Sequence, residues 1–377
     1  MSLMDRLKKT STIKDSAVLS KSKFFTKKDM IPTPIPAINI ALSGSLDGGL
    51  TPGLTMWAGP SKHFKTAFSL LMAKSYMDKY PESVLLFYDS EFGTPQAYFE
   101  SFGIDMDRVL HTPITDIELL KFDAMKQIEG IGRDERVIII IDSIGNLASK
   151  KEVEDALDGK STTDMTRAKQ LKSFFRMVTP HLTIKDIPMI AVNHTYKTLE
   201  MYAKDVVGGG TGSYYSADNI FIIGRQQEKD KNELVGYNFI INVEKSRYVR
   251  EKSKIPVTVL HEGGISKWSG LLDIAEESGH IVKTKIGNST AYAKVDMATG
   301  VIDEENKVKT DNTNTSAFWL PILKDKSFRD FVENKYSVAH GNIIQEEDIV
   351  SSVINNVDDE EDDYEVVSDE DEAVTSE

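Results

Sequence analysis

Cysteine is absent from the 377 residues of this chain, which excludes disulfides, cysteine zinc sites and a thiol nucleophile and suits a reducing compartment. Long apolar runs are absent as well. Nothing approaches the roughly 20 residues of a membrane helix, and the opening, Met1 to Ser20, lacks the apolar stretch of a secretory signal. A chain that is neither exported nor embedded is expected, with a cytoplasmic location and no membrane partner. Positive charge is missing from one end: no Lys or Arg follows Lys335, while Glu346, Glu347, Asp348 and twelve acids from Asp358 to Glu377 do.

That last absence changes the meaning of the net charge of −14, which taken whole speaks against a nucleic-acid partner. Of the 45 basic and 59 acidic residues, 15 acids lie in this terminal stretch, so everything before it balances to +1. Residues 1–30 hold eight Lys and Arg against three Asp. A nearly neutral body between a basic arm and an acidic tail is a pattern of nucleic-acid or partner interaction. A tail that only aids solubility has the same composition.

Residues 1–30 read as an arm with a short helix, cut off by the prolines of Ile31-Pro-Thr-Pro-Ile-Pro36. In residues 31–268 the apolar runs LTMWAG, SVLLFYDSE, VIIIIDSI and PMIAVNH alternate with the helical patterns AFSLLMAKSYMDKY, ELLKFDAMKQIEGI and TRAKQLKSFFRMVTPHL. Short, fully apolar runs between helices are what parallel strands buried on both faces require, so the expected fold is a doubly wound α/β core. NIFIIGR, GYNFIINVEKS and IPVTVLHEGG should extend the same sheet. Residues 269–343 form a candidate small C-terminal α+β domain. Residues 344–377 should be disordered, because repeated acids with few aromatics cannot offset the entropy of ordering.

The sharpest local feature is LTMWAGPSKHFKTAFSLLMAK. A strand, a turn at Gly59 and a helix from Lys65 make an anion site, since free backbone N–H groups and the helix dipole converge there. The phosphate-loop pattern GxxxxGK[ST] is met by Gly59, Pro60, Ser61, Lys62, His63, Phe64, Lys65 and Thr66 except that Phe64 replaces the second glycine. Asp142 ends a run of five apolar residues, where a carboxylate can orient Mg²⁺ beside Thr66 or simply cap the next helix. Glu91 ends another run and is placed to orient a water. Asn193 and His194 end a fourth, where a lone histidine is often structural.

In order and spacing, GPSKHFKT, YDSEFG, IDSIGNLASKKE, DMTRAK, VNHTY, GGGTG and NVEKSR resemble the RecA-type DNA recombinases, over about residues 1–335. They resemble most of all the phage branch, in which a loop of the GPSKxFK[ST] kind also lacks the second glycine. The resemblance implies a RecA-like phosphate-loop NTPase core and a DNA-dependent ATPase that uses ATP and Mg²⁺. Ser61 to Phe64 would cradle phosphates, Lys65 contact the β and γ groups, Thr66 and Asp142 serve the metal, and Glu91 orient the attacking water. Tyr98, seven residues past Glu91, would stack on adenine, a core tyrosine being the alternative. His194 stands where bacterial members have a glutamine that senses the γ-phosphate.

Two loops would face DNA, one through Lys150, Lys151 and Arg167 and the other through Gly208, Gly209, Gly210, Thr211 and Gly212. Lys245 and Arg247 would reach the ATP of a neighbouring copy, although a pair of exposed strand-edge charges reads the same way without the family. The arm of residues 1–30 would serve oligomerisation. Implied partners are single-stranded DNA, homologous duplex DNA, further copies in a helical filament, and mediator and single-stranded DNA-binding proteins, in the cytoplasm of an infected host cell. A hexameric helicase-type motor and a nucleotide-gated scaffold share the nucleotide chemistry and stay open as alternatives.

Overall fold

The computed structural model describes residues 2–13, 16–22, 29–159, 165–198, 205–230 and 233–338. The acidic segment 344–377 lies outside them. At the start, Ser2 caps helix α1 (Leu3–Thr10) in a reciprocal capping box with Asp5. The proline-rich stretch then leads into α2 (Pro36–Ser43), which opens on Pro36 at its first turn, ends on Gly44 at φ 74°, and is buried at seven of its eight positions.

The core alternates as its apolar runs require: β1 (Gly53–Ala58), α3 (Lys65–Lys79), β2 (Val84–Asp89), α4 (Gln96–Ser101), β3 (Val109–Pro113), α5 (Ile117–Gly130), β4 (Val137–Asp142), α6 (Lys150–Leu157), α7 (Thr166–Ile184) and β5 (Pro188–Asn193). A short hairpin, β6 (Thr195–Lys197) and β7 (Asp205–Val207), precedes α8 (Thr211–Ser216). Then come β8 (Asn219–Asp230), β9 (Glu233–Ser246), β10 (Lys254–Leu260) and β11 (Gly264–Ile265). One nine-stranded sheet results, in the order β11-β10-β9-β8-β1-β5-β4-β2-β3. From β3 to β8 the strands are parallel, and β8 to β11 add an antiparallel extension.

Both faces of the sheet are covered, and β4 displays the alternation: Ile138 and Ile140 join one core with α2 and α3, Ile139 and Ile141 the other with α5 and α7. The register sets Ala58 against Asn193 and Asp89 against Asp142. The carboxyl ends of four strands therefore fall on one edge, where open α/β sheets bind ligands.

The chain closes with a small antiparallel sheet, β12 (Ile281–Ile286), β13 (Ser289–Lys294) and β14 (Val308–Lys309), set among α9 (Leu271–Glu277), α10 (Ser316–Lys324) and α11 (Lys326–Tyr336). It shares the core on the α2 side of the large sheet, with Trp319 stacked on Trp268 at 6.4 Å. Among the described residues no helix is long and apolar enough to cross a membrane.

Candidate functional site

The loop after β1 turns without its second glycine. Lys62 and Phe64 both adopt φ 61°, in the left-handed region, which costs a non-glycine residue about 1–3 kcal/mol. The Phe64 ring repays this locally by stacking on Phe239 at 5.1 Å and meeting Phe68 edge-on at 5.7 Å. At Gly59 the fit is close, since a Cβ there would stand 3.1 Å from the Ile223 carbonyl oxygen. The helix start follows at once, with Phe68 N–H donating to Phe64 O at 3.0 Å.

Lys65 is only 6% exposed and donates to the carbonyls of Gly59 at 2.9 Å and Pro60 at 2.8 Å. Burial pushes its pKa down, against the pull of Glu91 and Asp142. Thr66 Oγ1 donates to Asp142 Oδ2 at 2.7 Å, while Asp142 Oδ1 is buried with no hydrogen-bond partner. Burial pushes the Asp142 carboxyl up to about 6, with the Thr66 bond opposing. A threonine hydroxyl beside an unsatisfied carboxylate oxygen is the hard-oxygen donor set that suits Mg²⁺.

Glu91 stands next in line. Its Oε1 accepts from Ser143 Oγ at 2.6 Å and from His194 Nε2 at 3.0 Å. The His194 bond, foremost, holds the Glu91 carboxyl below its usual value, so it is an ionised acceptor. His194 is in turn tied to the glycine-rich loop: Gly208 N–H donates to His194 O at 2.9 Å. Asn193 bridges the same turn, donating to Gly208 O and accepting from His194 N–H, both at 2.8 Å. Its amide is thus occupied by backbone.

A cavity of about 290 Å³ opens over this line, with Ser61, Lys65, Thr66, Glu91, Tyr98 and His194 among its walls. Tyr98 is set edge-on to Phe102 at 5.5 Å, and burial raises its pKa. His63 Nδ1 donates back to Ser61 O at 2.9 Å, and neither it nor Pro60 lines the cavity.

The remaining residues singled out by sequence are elsewhere. Lys245 donates to the carbonyls of Tyr214 at 2.7 Å and Tyr215 at 3.3 Å. Arg247, with 69% of its side chain exposed, pairs with Asp218 at 2.6 Å, and Asp218 accepts from Leu54 N–H at the start of β1. Both cations therefore stand at the amino edge of the sheet, about 20 Å from the carboxyl edge for a six-residue strand.

Lys150 and Lys151 open α6, where Ser149 makes a capping box with Glu152 and Lys151 pairs with Asp155. Arg167 turns inward and donates to the carbonyls of Leu147, Ile144 and Gly145 at 2.7–3.0 Å. What it does visibly is hold the turn after Asp142. In the second loop Gly209 and Gly210 have φ 90° and 76°, and Thr211 begins α8. Gly212 serves packing, because a Cβ there would come within 2.7 Å of the Lys172 Cα on α7. Residues 160–164 and 199–204 of the two loops lie outside the described residues. Sequence reasoning missed Ser143 as the clamp on Glu91, although its place directly after Asp142 was a usable signal.

An α/β protein with a strand–loop–helix turn and two carboxylates at the carboxyl edge of its sheet is the class these features define. Comparison with known proteins narrows it. The RecA N-terminal domain family matches residues 6–266, and the family of the C-terminal domain of the bacteriophage T4 recombination and repair protein matches residues 268–332. The chain is 52% identical over 340 residues to the recombination and repair protein of Enterobacteria phage T4, covering 89% of this chain and 86% of that one. It is 24% identical over 278 residues to the RecA protein of Symbiobacterium thermophilum, covering 72% and 76%. With the RecA protein of Ruegeria pomeroyi it shares 22% over 344 residues, covering 87% and 92%. The chain belongs to the RecA family.

Proposed function

We propose that the chain is an ATP-dependent DNA recombinase that forms helical filaments on single-stranded DNA and carries out homologous pairing and strand exchange in recombination, repair and recombination-dependent replication. The observation that carries this reading is a continuous line of contacts from the phosphate loop to the glycine-rich loop. Thr66 meets Asp142, Ser143 and His194 both meet Glu91, and the His194 backbone meets Gly208. A change at one end of this line would be felt at the other through groups with defined partners.

Within the cavity, Lys65 would exchange its two carbonyl partners for the β and γ phosphates of ATP, and the loop N–H groups would cradle them. Thr66 and Asp142 would hold Mg²⁺, which when bound neutralises charge between phosphate oxygens. Glu91, kept ionised by His194, would accept a hydrogen bond from the attacking water and orient it. Tyr98 would cover the base. Lys245 and Arg247 cannot reach the cavity of their own chain, and would instead complete the site of the next copy, making hydrolysis depend on assembly. The mediator and single-stranded DNA-binding proteins named as partners belong to this reading.

The test is ATP hydrolysis with and without single-stranded DNA, with negative-stain imaging of the same samples in a slowly hydrolysed ATP analogue. Stimulated hydrolysis with helical filaments is expected. Stimulated hydrolysis with closed rings would favour a helicase-type motor, and neither filaments nor stimulation would leave a nucleotide-gated scaffold.

A further inference from the structure

Two left-handed residues in one phosphate loop, Lys62 and Phe64, pose a mechanical question, since the loop must hold its N–H groups steady without glycine's freedom. The surroundings form a closed circuit. The Phe64 ring stacks on Phe239 of β9 at 5.1 Å. Two residues earlier on that strand, Tyr237 lies 6.2 Å from Phe239. The Arg225 guanidinium, from β8, sits 4.8 Å from the centre of the Tyr237 ring. Arg225 Nη1 then donates to the Lys62 carbonyl at 3.2 Å, returning to the loop two residues before Phe64. The β8–β9 register makes this possible by setting Arg225 opposite Phe239 and Gln227 opposite Tyr237.

We infer that Arg225, Tyr237 and Phe239 are positioning residues for the phosphate loop, an external brace that does the work of the missing second glycine. Both strained residues are held from outside: Phe64 by ring stacking and Lys62 by a hydrogen bond to its carbonyl. Arg225 suits this role because a guanidinium can lie over an aromatic face while still donating in its own plane. Arg225 is exposed and adds nothing to the buried core, so its placement over Tyr237 and against the loop is what it contributes. The inference rests on the nucleotide-binding reading of the cavity.

The experiment is equilibrium binding of a fluorescent ATP analogue, with thermal midpoints measured alongside. Arg225→Ala and Tyr237→Leu should each weaken binding by about 5-fold, the size expected from one cation–π contact and one hydrogen bond, with midpoints near that of the unaltered chain. Tyr237→Phe, which keeps the ring, should bind as the unaltered chain does. In a Phe64→Gly background, where the backbone takes the conformation freely, Arg225→Ala should lose most of its effect. Unchanged binding in both single variants, or an equal loss in the Phe64→Gly background, would overturn the brace. If Phe64→Gly does not fold, failure of Tyr237→Phe to restore what Tyr237→Leu loses overturns it equally. Failure of the unaltered chain to bind the analogue would instead overturn the nucleotide reading, and the brace with it.

Discussion

The two edges of the central sheet hold their charges in opposite conditions. At the carboxyl edge, Thr66 meets Asp142 and Glu91 meets His194 within one chain, and Lys65 lines the same cavity. At the amino edge, Lys245 meets the Tyr214 carbonyl and lies over the Tyr214 ring, Arg247 pairs with Asp218, and neither lines the cavity. The first edge is organised before any ligand arrives. The second holds its cations on partners about 20 Å from the cavity, and its part in the proposed function would have to be played on a neighbouring copy.

The largest effect should come from the organised edge. Lys65→Ala should reduce ATP hydrolysis by about 10³-fold, as removal of a principal phosphate donor does, while circular dichroism keeps the native signature because no apolar core is lost. Retained turnover would mean that the phosphate loop is not where hydrolysis occurs. At the other edge, Lys245→Ala and Arg247→Ala should each lower DNA-stimulated hydrolysis by about 100-fold, the lower end of what loss of one donor to the developing charge costs. Binding of a nucleotide analogue to the dilute chain should be untouched. Mixing Lys245→Ala with Glu91→Gln should restore hydrolysis, since head-to-tail assembly then creates interfaces at which both edges are intact. No recovery on mixing would place both edges in the same copy and break the comparison.

Asp142 sharpens the contrast, because it is the point where the organised edge leaves one of its own atoms unsatisfied. Its carboxyl is held at about 6 by burial, above the value of about 4 in an unfolded chain. The folded chain therefore binds the extra proton between those values, and this group's contribution to stability falls as pH rises from about 4 through 6. Above that window the ionised carboxyl costs roughly 3 kcal/mol. Asp142→Asn should remove this fall and make the ligand-free chain more stable at pH 8 by up to that amount in urea titrations, while Mg²⁺ and ATP stabilise the unaltered chain alone. The same pH dependence in both proteins would show that Asp142 does not titrate in this way.

Much of the organised edge was legible in the sequence because it is local: an apolar run ends, a polar residue follows, and parallel register aligns the ends of β1, β2, β4 and β5. What escaped depends on partners far along the chain. Phe64 reads as a defect in GPSKHFKT until Phe239, on a strand folded later into the same sheet, is found stacked on it. Arg167 reads as a DNA contact in DMTRAK, and its bonds to the carbonyls of Ile144, Gly145 and Leu147 could not be read from that motif. Gly212 reads as part of a flexible GGGTG and is fixed by the approach of Lys172. Single residues of this kind carry no periodicity from which a distant neighbour can be inferred.

The smallest effect concerns the acidic segment, whose 15 acids have no basic residue among them. With the rest of the chain near neutral and residues 1–30 basic, such a segment would compete with DNA for the same cations. Deleting residues 344–377 should strengthen duplex binding a few-fold at low salt, and the gain should vanish as ionic strength rises and screening shortens the reach of exposed charge. The salt dependence matters more than the affinity, because a tail that only aids solubility would leave binding unchanged across the whole series, whereas a competitor must lose its advantage as counterions replace it.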